Sequence, residues 1–177
     1  MPFPFTLSEI ANAFCEKEGR TVADEALMLR QLRHLHALGL IKAIDTPRDG
    51  RGTAQFGTNE VLAARIFLAA LTKGMASADL AMMRAEICGG TFNLASVIAR
   101  TNAAEEWWVE IAEARPEPDR DRAAITAWVK WEDGRIIRRE DDPFDDPTAP
   151  NGVLGDGRVV ETVSYIKASS LIRPYLS

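Results

Sequence analysis

The chain has 177 residues, of which 46% are hydrophobic, 27% charged and 7% aromatic, a composition that excludes a disordered or fibrous protein. No apolar run reaches the ~20 residues needed to cross a bilayer, and the net charge of −5 argues against a protein that coats nucleic acid regardless of sequence. The two cysteines, Cys15 and Cys88, lie far apart, which predicts reduced thiols in a cytoplasmic protein.

Two amphipathic helices are predicted at the N-terminal end. Thr6 or Ser8 can cap the first helix, whose apolar residues recur at helical spacing up to Gly19. Thr21 or Asp24 can cap the second helix, and Gly39 is a natural C-cap for it.

The next segment favours a hairpin. Residues 40–44 are typical of a short apolar strand, residues 45–53 have turn chemistry throughout, and residues 54–56 can return as a second strand. Helix, helix, strand, basic glycine-rich turn and strand, in that order, are the layout of a winged helix.

Three further helices follow in the prediction. The third begins at the cap formed by Asn59 and Glu60 and ends at Gly74. Ser77 caps the fourth, which ends at the glycine pair 89–90, and residues 93–102 form a short fifth helix.

Beyond residue 105 the apolar residues alternate, which is typical of strands. Strands are expected at residues 107–111, 125–131 and 159–166, and a closing helical turn at residues 168–176. Asp133 and Gly134 form the strongest short hairpin signal in the chain, leading into residues 136–137.

The predicted fold class is α+β. Residues 1–90 form a winged helix-turn-helix with additional helices, and residues 91–105 form a connecting helix. Residues 106–177 form a small antiparallel β-rich domain for dimerisation, sensing or partner contact. The negative charge lies in this last part, since residues 101–177 hold ten basic and sixteen acidic side chains.

Four segments, in the right order, resemble the MerR family of DNA-binding proteins. The sequence LRHLHALGLI at residues 32–41 looks like the family's LRYYERLGLI hallmark. The other three are TLSEIA at residues 6–11, similar to the opening helix; residues 48–56, similar to the wing; and residues 59–80, similar to the two helices after the wing. The resemblance covers about residues 5–88.

This resemblance implies a homodimer that binds double-stranded DNA at promoters, with RNA polymerase as a further candidate partner and no cofactor. The second helix would enter the major groove, and the wing would hold phosphates. Arg33 matches the family's recognition-helix arginine, His34 stands at its aromatic position, and Arg48 matches the wing arginine. The expected DNA-binding residues are Arg30, Gln31, Arg33, His34, Arg48 and Arg51.

The chain departs from the family pattern in three places. About ten extra residues precede the LRHLHALGLI block and place Asp24 and Glu25 where carboxylates would repel phosphate, so the helix either docks differently or reads cytosine amino groups. Ala54 replaces the second wing arginine, for which Arg51 is a candidate substitute. No long dimerisation helix follows residue 90, so a dimer must use the short fifth helix or the β-rich part.

All four tryptophans lie in the C-terminal part, at Trp107, Trp108, Trp128 and Trp131. They predict the core of a small sheet, because such a sheet needs large side chains to bury enough area. A pocket for a small effector or a partner interface is the alternative. Trp107 and Trp108 are adjacent and would point to opposite faces of a strand.

No other motif indicates chemistry. His34, His36 and the two cysteines lack metal-ligand spacing, and no catalytic triad, phosphate loop or dinucleotide fingerprint is present. The sequence therefore predicts a sequence-specific transcriptional regulator, not an enzyme and not a membrane protein. The alternatives are an architectural, excisionase-like DNA-binding protein and a protein-interaction adaptor that has lost DNA binding.

Overall fold

The computed structural model describes residues 4–45, 53–77, 79–90, 92–116, 125–133 and 158–176. Within them the fold is α+β, as predicted, with six α-helices and one three-stranded antiparallel sheet. The chain divides into two compact units, of which unit 1 comprises residues 1–74 with 171–177 and unit 2 comprises residues 75–170. None of the helices described is both long and apolar enough to cross a membrane.

The first two helices, α1 (Leu7–Glu18) and α2 (Val22–Ala37), begin with the same kind of capping box. At α1 the Glu9 N–H donates to the Thr6 hydroxyl at 3.3 Å, and the Thr6 N–H donates to the Glu9 carboxylate at 2.7 Å. Thr21 and Asp24 repeat the arrangement at α2, at 3.4 and 2.9 Å. Each box satisfies two backbone donors that a helix start otherwise leaves unpaired. The caps are therefore Thr6 and Thr21.

The core of unit 1 is built from α1, α2 and α3 (Thr58–Thr72). Phe14 of α1 and Leu32 and Leu35 of α2 are fully buried, which agrees with the predicted apolar stripes. The third helix contributes most, because nearly its whole middle is apolar. Its buried side chains are Val61, Leu62, Ala63, Ala64, Ile66, Phe67, Leu68 and Ala70.

The predicted strands at residues 40–44 and 54–56 do not form. Asp45 and Gln55 make one isolated antiparallel bridge, in which the Ile44 N–H donates to the Gln55 carbonyl at 2.8 Å. Phe56 makes a second isolated bridge, to Phe5. Residues 46–52, which hold most of the predicted turn, lie outside the described residues.

Backbone N–H groups between α2 and these bridges form hydrogen bonds to other parts of unit 1, not to a partner strand. Gly39 takes a left-handed φ of 70°, and the Leu40 N–H donates back to the Leu35 carbonyl at 2.9 Å. The Lys42 N–H donates to the Glu60 carboxylate at 2.7 Å. Because this donor is taken by the first turn of α3, it is not available to a partner strand.

Unit 2 begins with two short helices, α4 (Leu80–Gly89) and α5 (Leu94–Asn102). The predicted fifth helix forms, and Asn93 caps it, since its side chain accepts from the N–H groups of Ala95 and Ser96. The prediction of Ser77 as the cap of α4 is wrong. That helix starts after Asp79, and its N-cap has no side-chain hydrogen bond.

The sheet contains β1 (Trp107–Pro116), β2 (Ile125–Asp133) and β3 (Arg158–Ile166), in the order β2-β1-β3. All three strands were predicted from the alternating pattern. Val109 of β1 lies opposite Trp131 and Ile166, and Glu110 lies opposite Lys130 and Tyr165. The helix α4 packs against β2. The predicted hairpin at Asp133–Gly134 continues into residues outside those described.

The chain ends with α6 (Ala168–Ile172) and a single 3₁₀ turn (Arg173–Tyr175). Ser169, fully buried, holds the first residue of β1: its hydroxyl accepts from the Trp107 N–H at 2.5 Å and donates to the Trp107 carbonyl at 3.3 Å. The last turn belongs to unit 1, where the Tyr175 ring packs on Phe14.

Candidate nucleic-acid interface on α2

The helix α2 has one buried side. Met28, Leu32 and Leu35 are at most 3% exposed, and their spacing of four and three residues places them in one stripe. This stripe packs toward α1 and α3. The side chains half a turn away from it must therefore face solvent.

Five exposed residues occupy the opposite side of α2, at Ala23, Ala26, Arg30, Arg33 and Ala37. At 100° per residue they fall within an arc of about 80° centred opposite the buried stripe. We call this surface the arginine–alanine face. It combines two long cationic side chains with three of the smallest side chains, and it contains no carboxylate.

Several arginines among the described residues form ion pairs, whereas Arg30 and Arg33 do not. Arg20 and Arg65 both bind Glu18, at 2.7 and 2.6 Å. Within the part of the chain that the structure describes, neither Arg30 nor Arg33 has an ion-pair or hydrogen-bond partner. Their guanidinium groups are therefore available to an anionic ligand without first breaking an internal pair.

The structure removes the electrostatic objection raised by Asp24. Its carboxylate turns back onto the helix start and accepts from the Thr21 hydroxyl at 2.8 Å and from the Thr21 N–H at 2.9 Å. These two hydrogen bonds lower the pKa of Asp24, so the group stays ionised in the cap. Glu25 is half-buried and lies on the side of α2 that carries Met28. Neither carboxylate is on the arginine–alanine face.

The remaining predicted DNA-binding residues take different positions. His34 is exposed beside the arginine–alanine face, whereas Gln31 is half-buried and lies closer to the buried stripe of Met28 and Leu35 than to that face. Arg48 and Arg51 lie outside the described residues. The structure therefore brings Arg30, Arg33 and His34 to one side of α2 and is silent on the wing arginines.

His36, for which the sequence predicts no metal site, is part of the fold. Its Nδ1 lies 3.2 Å from the Ile41 carbonyl, and its ring meets Phe56 edge to face with centroids 5.0 Å apart. The first contact fixes the chain directly after α2, and the second holds the end of α2 against residues 54–56. No group of three His, Cys, Asp or Glu side chains among the described residues is arranged to hold a metal ion.

The tryptophans of unit 2 do not form one cluster. Trp107 is buried, with its ring 4.5 Å from that of Phe92, whereas Trp108 is half-buried on the other face of β1, 6.5 Å from Tyr165. Trp131 is half-buried across from Val109. The Trp128 side chain is outside what the structure describes. The opposite orientation of the two adjacent tryptophans was predicted correctly.

The face of the sheet that carries Trp108 also holds a buried carboxylate that pairs with an exposed lysine. Glu110 is 6% exposed, and Lys130 reaches both its carboxylate, at 3.3 Å, and that of Glu132, at 2.6 Å. Burial alone would lower the pKa of Lys130, but the hydrogen bond to Glu132 and the charge of Glu110 raise it. With two carboxylates around one ammonium group, this cluster is net negative and offers no cationic surface to DNA.

Sequence reasoning identified the arginines of α2 but missed the alanines between and around them. The signal was present, because Ala26, Arg30, Arg33 and Ala37 follow the same four-three-four spacing as a buried stripe.

Comparisons with protein-family models, curated proteins and solved structures each give no match to this chain.

Proposed function

We propose that the protein is a sequence-specific DNA-binding transcriptional regulator that acts as a homodimer. The observation that carries the proposal is the arginine–alanine face, where Arg30 and Arg33 are exposed and, among the described residues, have no ion-pair partner and no acidic side chain beside them on the helix. The small residues around them let the helix backbone approach a groove closely. An α-helix with such a face fits the major groove of B-form DNA.

The local architecture supports the same proposal. The helices α1 and α2 are joined by the three residues 19–21, and α2 is followed by the bridge between Asp45 and Gln55 and then by α3. The two helices and the short turn between them match the order of a helix-turn-helix, in which the second helix reads bases, and a single bridge stands where a winged member has its wing strands. The homodimer and the promoter target are carried over from the resemblance to the MerR family.

The charge distribution also favours selective binding. Residues 1–57 hold seven basic and seven acidic side chains, whereas the later part of the chain is acidic. An overall negative protein is repelled by DNA except where a local cationic surface approaches it. Binding should therefore depend on a small number of contacts, of which Arg30 and Arg33 are the best placed.

The test is capture of genomic DNA fragments by the purified full chain at roughly 150 mM salt, where non-specific contacts are screened. The Arg30→Ala, Arg33→Ala double variant is compared with a Lys73→Ala, Arg100→Ala double variant, which loses the same charge at exposed positions that do not belong to α2. Enrichment of a few palindromic fragments by the wild type and the control, lost in the α2 variant, supports the proposal.

The other outcomes favour the alternatives. A large bend in the bound DNA, at sites away from promoters, favours an architectural, excisionase-like protein. Weak, uniform binding that the α2 variant does not change favours an adaptor. One observation speaks for that reading, since Leu27 and Leu38 are 44% and 47% exposed at one edge of α2 and offer apolar area to a protein partner.

A further inference from the structure

The last four of the five residues of the arginine–alanine face form a symmetrical row along α2. Arg30 and Arg33 are at its centre, with Ala26 four residues before the first arginine and Ala37 four residues after the second. At 1.5 Å per residue the arginines start about 4.5 Å apart along the helix axis, and each alanine lies about 6 Å further out. The row is therefore about 16 Å long.

The ends of this row differ in chemistry from its centre. An arginine fork pairs best with the O6 and N7 acceptors of guanine, and an alanine methyl group fits the 5-methyl group of thymine. Successive base pairs are about 3.4 Å apart along the duplex, so a separation of about 4.5 Å suits guanines in neighbouring base pairs. The alanines would then meet bases one or two pairs outside the guanines.

The exposed alanines also argue against a role limited to phosphate contact. A helix that only holds the backbone can be surrounded by long polar side chains. Here Ala26 and Ala37 leave the ends of the row flat, so the arginines are the only side chains of the row that extend beyond the helix surface. A flat surface with two projecting donors is complementary to the floor of the major groove.

We propose that this row determines the sequence preference of the protein: Arg30 and Arg33 read two guanines in neighbouring base pairs, and Ala26 and Ala37 read flanking thymines. This inference rests on the proposed DNA-binding function and specifies its target. In this proposal the middle of α2 lies in the groove. The first turn of α2 does not, because the capping box of Thr21 and Asp24 occupies it.

The experiment is selection of bound duplexes from random-sequence DNA by the full chain, followed by base-analogue substitution in the preferred site. The expected site contains two guanines in neighbouring base pairs with thymine one or two pairs away on each side. Replacing a guanine by 7-deazaguanine, which removes one acceptor of the arginine fork, should weaken binding at least tenfold. Replacing a flanking thymine by uracil, which removes only the methyl group, should weaken it about fourfold.

Two variants assign each effect to its residue. Ala26→Gly should abolish the sensitivity to uracil on one side of the site and leave the other side unchanged. Arg30→Ala should abolish the preference for one guanine and leave the second, which Arg33 reads. Both positions are exposed, so neither variant disturbs the buried stripe of α2, and thermal unfolding verifies that each is folded.

The possible outcomes distinguish a failure of the predicted base preferences from a failure of the proposed DNA binding. A selected site without the guanine pair, or a site whose thymines can become uracil without loss, overturns the inference while sequence-specific binding stands. A selection that yields no preferred sequence overturns the proposed function and the inference with it. Loss of the predicted base preferences in the matching variants supports both.

Discussion

The rings of Phe14 and Tyr175 meet edge to face, with centroids 5.1 Å apart and an angle of 63° between their planes. Phe14 belongs to the first helix of the chain and Tyr175 to its last turn, yet both lie in unit 1. The contact sits beside the Glu18–Arg65 ion pair, whose two partners both act on the tyrosine hydroxyl. Residues 171–177, which are distant in sequence from the three helices of unit 1, therefore complete its core.

Replacing Tyr175 by alanine should destabilise unit 1 by about 3 kcal/mol, because the ring is 7% exposed and its removal leaves a cavity against Phe14. Urea unfolding of the full chain measures this change. Tyr175→Phe keeps the ring and should retain most of the stability. Equal losses in the two variants would mean that the hydroxyl contacts, and not the ring, hold the last turn in place.

The same residue predicts a pH dependence of stability at alkaline pH. Burial, followed by the nearby charge of Glu18, raises the pKa of Tyr175 to about 12, compared with an ordinary value of 10.0. Its contribution is fully present below pH 10 and falls as the pH rises to 12, because only the unfolded chain then loses the proton. The decrease amounts to about 2 kcal/mol and should be absent in Tyr175→Phe.

Absorbance at 295 nm checks this directly, since the chain has only two tyrosines, Tyr165 and Tyr175. One phenol should ionise late in the folded protein. If Tyr175→Phe leaves the late phase unchanged, the shift has been assigned to the wrong residue.

Ser169 should be required for the start of the sheet. Ser169→Ala removes the hydroxyl that satisfies both the N–H and the carbonyl of Trp107, which costs about 1–3 kcal/mol when such groups stay buried. The unfolding midpoint and the near-ultraviolet circular dichroism of the tryptophans measure the effect. Ser170→Ala is the matched control, because that neighbouring serine is exposed.

The two cysteines should report on the two units separately. Burial raises the pKa of the Cys15 thiol, and its side chain is 4% exposed, whereas Cys88 is half-buried in α4. In a Cys88→Ser variant, reaction with a disulfide reagent should therefore require opening of unit 1. The Cys15→Ser variant should react faster without denaturant. Equal rates in the two variants would contradict the burial of Cys15.

Thr21 should contribute more to stability than its exposed position suggests. Thr21→Ala breaks the capping box at α2 and should cost about 1 kcal/mol in the free energy of unfolding. It also releases the Asp24 carboxylate from the helix start. If the proposed function is correct, the variant should bind DNA more weakly at the same folded fraction, and adding Asp24→Asn should restore affinity.

Local features of the fold could be predicted from sequence, and non-local ones could not. Thr6 and Thr21 were among the predicted caps because a cap acts within three residues of itself, and β1 was predicted from its alternating residues. The predicted strand at residues 40–44 failed because the Lys42 N–H is bound by Glu60, eighteen residues away. The packing of Tyr175 on Phe14 has no local signal at all.

The candidate site shows the same division. The exposure of Arg30 and Arg33 follows from helical periodicity once Leu32 and Leu35 are taken as buried. The role of Asp24 was ambiguous, because a carboxylate at the third position of a helix can either cap it or face solvent. Only the hydrogen-bond geometry at Thr21 decides between these two.

The order in which the chain is synthesised gives the last turn a further consequence. When α1, α2 and α3 have left the ribosome, the Phe14 ring and the Glu18–Arg65 pair still lack Tyr175, which is made about a hundred residues later. Unit 1 therefore reaches its full stability only after translation of residues 171–177. A chain that stops before residue 171 would therefore carry α2 in a destabilised unit 1 and should be degraded more readily than a chain that contains residues 171–177.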